Sequence, residues 1–198
     1  MEHGVRSPAR TDQSLRTLAA AAALASALAS GPAQAVTMEL EPWHDGALPN
    51  FTLPAADGRD IALETGRGRV VLVHFFATWC EPCQDELPAL RRFAQRAASD
   101  PIVVMAISVA EVDLRVRRFL ETMPLNFPVL LDRDRAVAKA WNISALPSTV
   151  ILDRTLAPRL VAQTDVAWDR IDPRALVDTL GAARIPKSSP SPTGSNDR

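Results

Sequence analysis

The chain has 198 residues, 47% of them hydrophobic, with a formal net charge of −1. That is enough apolar matter for one core, and it leaves no electrostatic footprint for nucleic acid. Two cysteines exclude a multi-bridge disulfide scaffold and a four-thiolate zinc site within one chain.

Arg6, Arg10 and Arg16 precede a run without charge from Thr17 to Ser30, and small residues follow at Ala33 and Ala35. A basic start, a short apolar middle and an Ala-x-Ala end read as a secretory signal peptide over residues 1–35, cut after Ala35. The run falls short of the roughly 18 residues a transmembrane helix needs, and most of it is weakly lipophilic Ala. An uncleaved, membrane-anchored N-terminus is the alternative. Removing the segment leaves a mildly acidic protein in the periplasm, a compartment where disulfides persist.

Residues 36–46 read as an irregular lead-in, and a single domain is expected over 47–183. Phe51 and Leu53, then Ile61 and Leu63, alternate around an Asp57-Gly58 turn, which predicts a β-hairpin. The run "RVVLVHFFA" is apolar, β-branched and too short for a helix, so it is a buried central strand. From Glu81 to Ser99 the period becomes helical, with Leu87, Leu90, Phe93, Ala94 and Ala97 on one face; Pro88 should bend this helix or shift its hydrogen bonds. "PIVVMAISV" is a second buried strand. "DLRVRRFLETM" is an amphipathic helix with Leu114, Phe119 and Leu120 as its apolar residues. "FPVLLD" is extended, and "DRAVAKAWN" is a helix with Val137, Ala140 and Trp141 inward. "STVILD" is a third strand, Leu160 to Ala162 a last edge strand, and "DPRALVDTLGAA" a closing helix capped by Asp172. Residues 184–198 are polar and Pro/Ser-rich, a disordered tail. Strands alternating with helices make the fold α/β, and hairpins at both ends make its central sheet mixed.

Cys80 and Cys83 lie directly after the first buried strand, at a helix start. The positive end of a helix stabilises an anion there, which favours the thiolate of Cys80. Cys83, one turn on, can reach Cys80 and resolve a mixed disulfide. This context supports the redox reading of a C-x-x-C pair. Half a zinc site is the second reading, with only His3, His44 and His74 as further nitrogen ligands. A structural staple is the third, though so short a loop gains little chain entropy.

"VVLVHFFATWCEPCQDELPAL" and "NISALPSTVILD" together resemble the exported TlpA/ResA/CcmG branch of thioredoxin-like proteins, a redoxin group related to AhpC/TSA. The resemblance covers about Ala47 to Ala183. It implies a thioredoxin fold: a central mixed sheet flanked by helices, with an N-terminal β-hairpin extension and an insert after the second core strand. It implies that Cys80 attacks and Cys83 resolves, that Trp79 covers the site and that Pro82 sets the helix start. It also implies that Pro147 is cis beside the disulfide, with Leu146 offering its backbone to a substrate. Glu86 matches an acidic position that shapes thiol titration in cytochrome-maturation members; a solvated helix residue is the plain alternative. Glu81 opposes a neighbouring thiolate by like-charge repulsion, which inclines the pair toward giving up electrons. His74 departs from the pattern, standing where relatives carry Asp or Asn. Alternation places it with Val70, Leu72 and Phe76, so it is either a proton relay for Cys83 or a satisfied core histidine. No cysteine stands in the Thr-x-x-Cys context of a peroxidase.

The function these features imply is a monomeric periplasmic thiol–disulfide oxidoreductase with no cofactor beyond its own cysteine pair. It would reduce partner proteins such as apocytochrome c or copper-chaperone proteins, with electrons from a membrane thiol donor. The alternatives are a copper-binding chaperone of the same fold, since thiolates favour Cu(I), and a disulfide-forming oxidant.

Overall fold

A computed structural model of the chain describes residues 40–181. The expected signal peptide and tail, residues 36–39 of the lead-in and residues 182–183 of the expected domain lie outside them. Two strands open the described segment: β1 (Glu41–Pro42) and β2 (Thr52–Pro54). β3 (Asp60–Ala62), β4 (Val70–Phe76), α1 (Glu81–Arg96) and β5 (Ile102–Val109) follow. Then come α2 (Asp113–Thr122), β6 (Val129–Asp132), α3 (Ala136–Ala140), β7 (Ser148–Leu152), β8 (Pro158–Ala162) and α4 (Pro173–Gly181).

Six strands form one sheet in the order β1-β8-β7-β4-β5-β6. β4 runs parallel to β5 and antiparallel to β7, with His74 opposite Ala106 on one side and Thr149 on the other. All seven residues of β4 are buried, as expected of an apolar run too short for a helix. Its alternation divides the core. Val70, Leu72 and Phe76 pack with Leu87, Leu90 and Phe93 of α1 and with Leu176, Val177 and Leu180 of α4. Val71, Val73 and Phe75 pack on the opposite face with Phe51, Leu63, Val137 and Trp141. α1 runs unbroken through Pro88. At α4 the side chain of Asp172 accepts from the Arg174 and Ala175 N–H groups, at 2.8 and 3.0 Å, the expected cap.

Four expectations need correction. The opening hairpin forms its own two-stranded sheet, so the mixed character of the main sheet comes from β7 and β8. The last strand is not an edge: Glu41 and Pro42 of the supposedly irregular lead-in pair with Val161 and Leu160 and cover it. In α2 the buried residue is Val116, while Leu114 is 53% exposed, because Leu114 stands in the first turn on the solvent side. In α3 Ala138 points inward and Ala140 is exposed; five residues are too few for periodicity to fix a helix's phase.

Candidate active site

Cys80 and Cys83 form a disulfide. Cys80 is the N-cap of α1, with extended backbone, and its sulfur accepts from the Cys83 N–H at 3.3 Å. Pro82 occupies the first turn, where its missing N–H costs no helical hydrogen bond. The two sulfurs differ in access: Cys80 is 6% exposed and Cys83 fully buried. Glu81 and Pro82 lie on the surface beside them.

The segment joining β4 to Cys80 is held by a residue the sequence reading missed. The Glu111 carboxylate, 7% exposed, accepts from the backbone N–H of Thr78 at 2.8 Å, from the Thr78 hydroxyl, and from the Ser108 hydroxyl at 2.8 Å. Gln84 in α1 donates to the Thr78 carbonyl at 2.8 Å. Every polar group of Thr78 is therefore engaged one residue before Trp79. Ala110, at φ 58°, turns the chain after β5 into the left-handed region just before Glu111. The available signal was an acidic residue two positions after an eight-residue, mostly apolar strand.

Glu86 is buried, contrary to the solvated alternative. Its Oε1 accepts from the Trp168 indole N–H and from the Val166 N–H at 3.2 Å, tying α1 to the segment before α4. Glu86 also borders a cavity shared with Glu81, Asp85 and Asp165. His74 is buried on the face of β4 that carries α1, as its alternation required. Its Nδ1 lies 2.9 Å from the Thr149 hydroxyl, its ring stacks near Phe76, and its Nε2 has no hydrogen-bond partner. Burial alone pushes its imidazole from 6.5 down to about 3, so the ring is neutral.

The Leu146–Pro147 peptide bond is cis. The Ser148 hydroxyl closes this loop on the Ala145 carbonyl at 2.7 Å. Leu146, Cys80 and Trp79 line one cavity of about 310 Å³, with Val109 and Ile143 among its walls. Trp79 is 64% exposed, on the rim of this cavity. Neither described histidine joins the cysteines as a ligand: His44 lines a separate cavity with Trp43 and Pro158. Among the described residues no group of three or more His, Cys, Asp or Glu side chains is placed to hold a metal ion. No described helix is long and apolar enough to cross a membrane.

A family model described as the AhpC/TSA family matches residues 45–157. The thiol-disulfide oxidoreductase ResA of Bacillus subtilis (strain 168) is 36% identical over 105 residues, 53% of this chain and 59% of that protein. The thioredoxin-like protein YneN of the same organism is 35% identical over 108 residues, 53% of this chain and 62% of that one. The chain thus spans about three fifths of the length of these curated relatives. Among solved structures, a thiol:disulfide interchange protein of the thioredoxin family from Chlorobium tepidum TLS superposes with a TM-score of 0.58 at 23% identity, covering 70% of this chain and 97% of that one. StoA from Bacillus subtilis gives 0.56 at 22% identity, covering 62% and 92%. These likenesses show the thioredoxin-like fold.

Proposed function

The chain belongs to the AhpC/TSA family, and from that premise we propose that it is a periplasmic thiol–disulfide oxidoreductase that reduces disulfides in partner proteins. The observation that carries this reading is the asymmetry of the pair: a disulfide at a helix N-terminus whose outer sulfur, Cys80, borders a cavity while Cys83 is sealed behind it.

In the reduced protein the Cys80 thiolate attacks one sulfur of the partner's disulfide. The partner's S–S bond breaks, its other sulfur leaves as a thiolate, and a Cys80–partner mixed disulfide forms. Cys83 then loses its proton and attacks the Cys80 sulfur, releasing the second partner thiolate and closing the Cys80–Cys83 bond. Two electrons pass to the partner, and the two released thiolates take up protons. A membrane thiol donor, oxidised in turn, restores the dithiol. The chain's own residues prepare both steps. The helix end stabilises the attacking thiolate, Glu111 and Gln84 fix the segment that presents it, and the cis-proline loop lines the site opposite. Leu146 offers its backbone there to the partner segment, and Trp79 covers the sulfur from solvent.

Neutral His74 serves as the relay for the Cys83 proton. Its unpartnered Nε2 and its place on the α1 side of β4 support this. An imidazolium held at about 3 forms only transiently, so the proton must move on within the same step. Glu86 acts by holding the first turns of α1 against Trp168, and the exposed carboxylate of Glu81 opposes a thiolate beside it, which favours donation of electrons. The partners we assign are apocytochrome c or copper-chaperone proteins, met by an exported monomer that uses no cofactor beyond its disulfide.

Equilibrating the full chain with dithiothreitol or glutathione tests the direction. A potential near or below about −250 mV supports a reductant, and one near about −120 mV makes the protein a disulfide donor instead. Cys83→Ser should trap a mixed disulfide with a reducible protein substrate and Cys80→Ser should not; trapping through Cys83 would reverse the assigned roles.

A further inference from the structure

The cavity that Cys80 borders carries a charge the exchange chemistry does not use. Arg135 is the one charged residue lining it among the described residues. Its neighbour Arg133 is paired with Asp113 at 2.7 Å. Arg135 has no carboxylate of the described residues within ion-pair distance. The acids beside it in the chain serve the backbone: Asp134 accepts from the Ala136 N–H, and Asp132 from those of Val137 and Ala138.

The chain goes to some length to hold this rim. Arg135 and Ala110 both line the cavity, at φ 63° and 58°, a left-handed conformation costly to any residue with a side chain. Both donate their N–H to the same carbonyl, that of Asp132, at 3.2 and 2.9 Å. Asn142, at φ 58°, immediately precedes Ile143 of the wall. Three of the four left-handed non-glycine residues in the described segment thus shape one cavity. Backbone strain gathered at one place points to a function there. The walls inside the rim are mostly apolar, Ser144 being the polar exception, and Trp79 extends them outward as a largely exposed residue.

We propose that this cavity receives an apolar side chain beside the partner's reactive cysteine, and that Arg135 pairs with a carboxylate carried on the same segment. The inference rests on the exchange reading above and names its substrate class: disulfides set in apolar, acidic segments. The cavity is too small for a folded element, so the partner enters as an extended stretch. Solvent at the rim screens the pairing, which therefore selects among partners more than it tightens binding.

The test uses the full chain, reduced and desalted, with short peptides whose single cysteine is in mixed disulfide with 5-thio-2-nitrobenzoate. Each peptide carries Leu on one side of the cysteine and Asp, Asn or Lys on the other, in both orders. Release of the coloured thiolate gives the second-order rate constant of this single exchange. The expected order is Asp over Asn over Lys, with a spread of roughly fivefold between the extremes that narrows as salt rises. Arg135→Gln should flatten this order and Arg135→Glu should reverse it. Replacing Leu by Ser in the peptide should cost about tenfold, and Ala145→Phe, which fills the cavity from an exposed wall position, should erase that preference. If the peptides react and their order survives Arg135→Glu, or the Leu preference survives Ala145→Phe, the subsite is wrong while the exchange reading stands. If no peptide reacts, the exchange reading falls and takes this inference with it.

Discussion

Glu111→Ala removes the acceptor of three hydrogen bonds at once, and its cost follows from where the donors sit. Ser108 is 1% exposed, so its hydroxyl loses its partner with no water to replace it. A buried orphan of this kind costs ~1–3 kcal/mol. Thr78 is half-buried, so its N–H and hydroxyl regain part of their hydration, and each lost bond counts for about 1 kcal/mol or less. The sum is about 2–4 kcal/mol, equivalent to a Tm drop on the order of 5–15 °C for a chain of this length. Glu111→Gln separates bonding from charge. Its amide oxygen can accept from Thr78 and Ser108 while its NH₂ donates to the Thr78 hydroxyl, so the loss should stay below about 1 kcal/mol. Urea unfolding of the oxidised full chain reads both variants. An Ala variant within about 0.5 kcal/mol of the parent would show that these bonds carry nothing. A Gln variant as costly as Ala would move the effect from bonding to charge.

Burial of His74 gives a pH signature. Between about 3 and 6.5 the unfolded chain binds a proton that the folded chain refuses. Stability therefore falls as pH drops below about 6.5, by up to about 1.4 kcal/mol per unit, and is fully present above it. Urea titrations between pH 7 and 4.5 should show a shallower slope for His74→Asn; an equal slope in both proteins contradicts the buried neutral ring. The same variant tests the relay, since an unchanged pH profile of Cys83 reactivity would remove His74 from the proton path. Val116→Ala should cost about 1.5–3 kcal/mol and Leu114→Ser within about 0.5 kcal/mol either way; equal costs by thermal unfolding would mean α2 is rotated from the orientation described. Gly66 packs under β4, where an added Cβ would lie 2.5 Å from Val71 Cγ2. Gly66→Ala should therefore destabilise by about 1–3 kcal/mol, and Val71→Ala in the same chain should recover part of that loss.

How far the sequence could be read depended on the range of the signal. β4 and α1 announced themselves through apolar period and through the cysteine pair at their junction, because both signals are local. Asp172 was legible as a cap for the same reason. β1 was not, since two residues carry no alternation and its partner lies more than a hundred positions on. The setting of Glu86 was hidden likewise: its exposure is decided by Val166 and Trp168, and nothing in "QDELPAL" reports on them. Glu111 stood in plain view, yet an acid in a turn is ordinarily solvated, and only the approach of Thr78 and Ser108 makes it a buried acceptor. Arg135 offered no signal either, because the role proposed for it rests on its having no ion-pair partner among the described residues, which its neighbours Asp132 and Asp134 in the sequence do not report.

Each border of the main sheet is occupied. On one side β1 is two residues long and carries a glutamate and a proline. On the other, β6 is met by the opening hairpin, with an Ala55–Leu130 bridge and the Ala56 N–H donating to the Val129 carbonyl at 2.8 Å. Short, charged and proline-bearing borders are how sheets resist lengthening by foreign strands. On the proposed exchange function, a molecule that holds partner chains long enough to exchange sulfur with them risks being recruited into their aggregates. Among the described residues, such a client would find both borders of the main sheet short or partly covered. On that reading it would meet the loops at the end of β4, hold on through a single sulfur bond, and leave when that bond is cut.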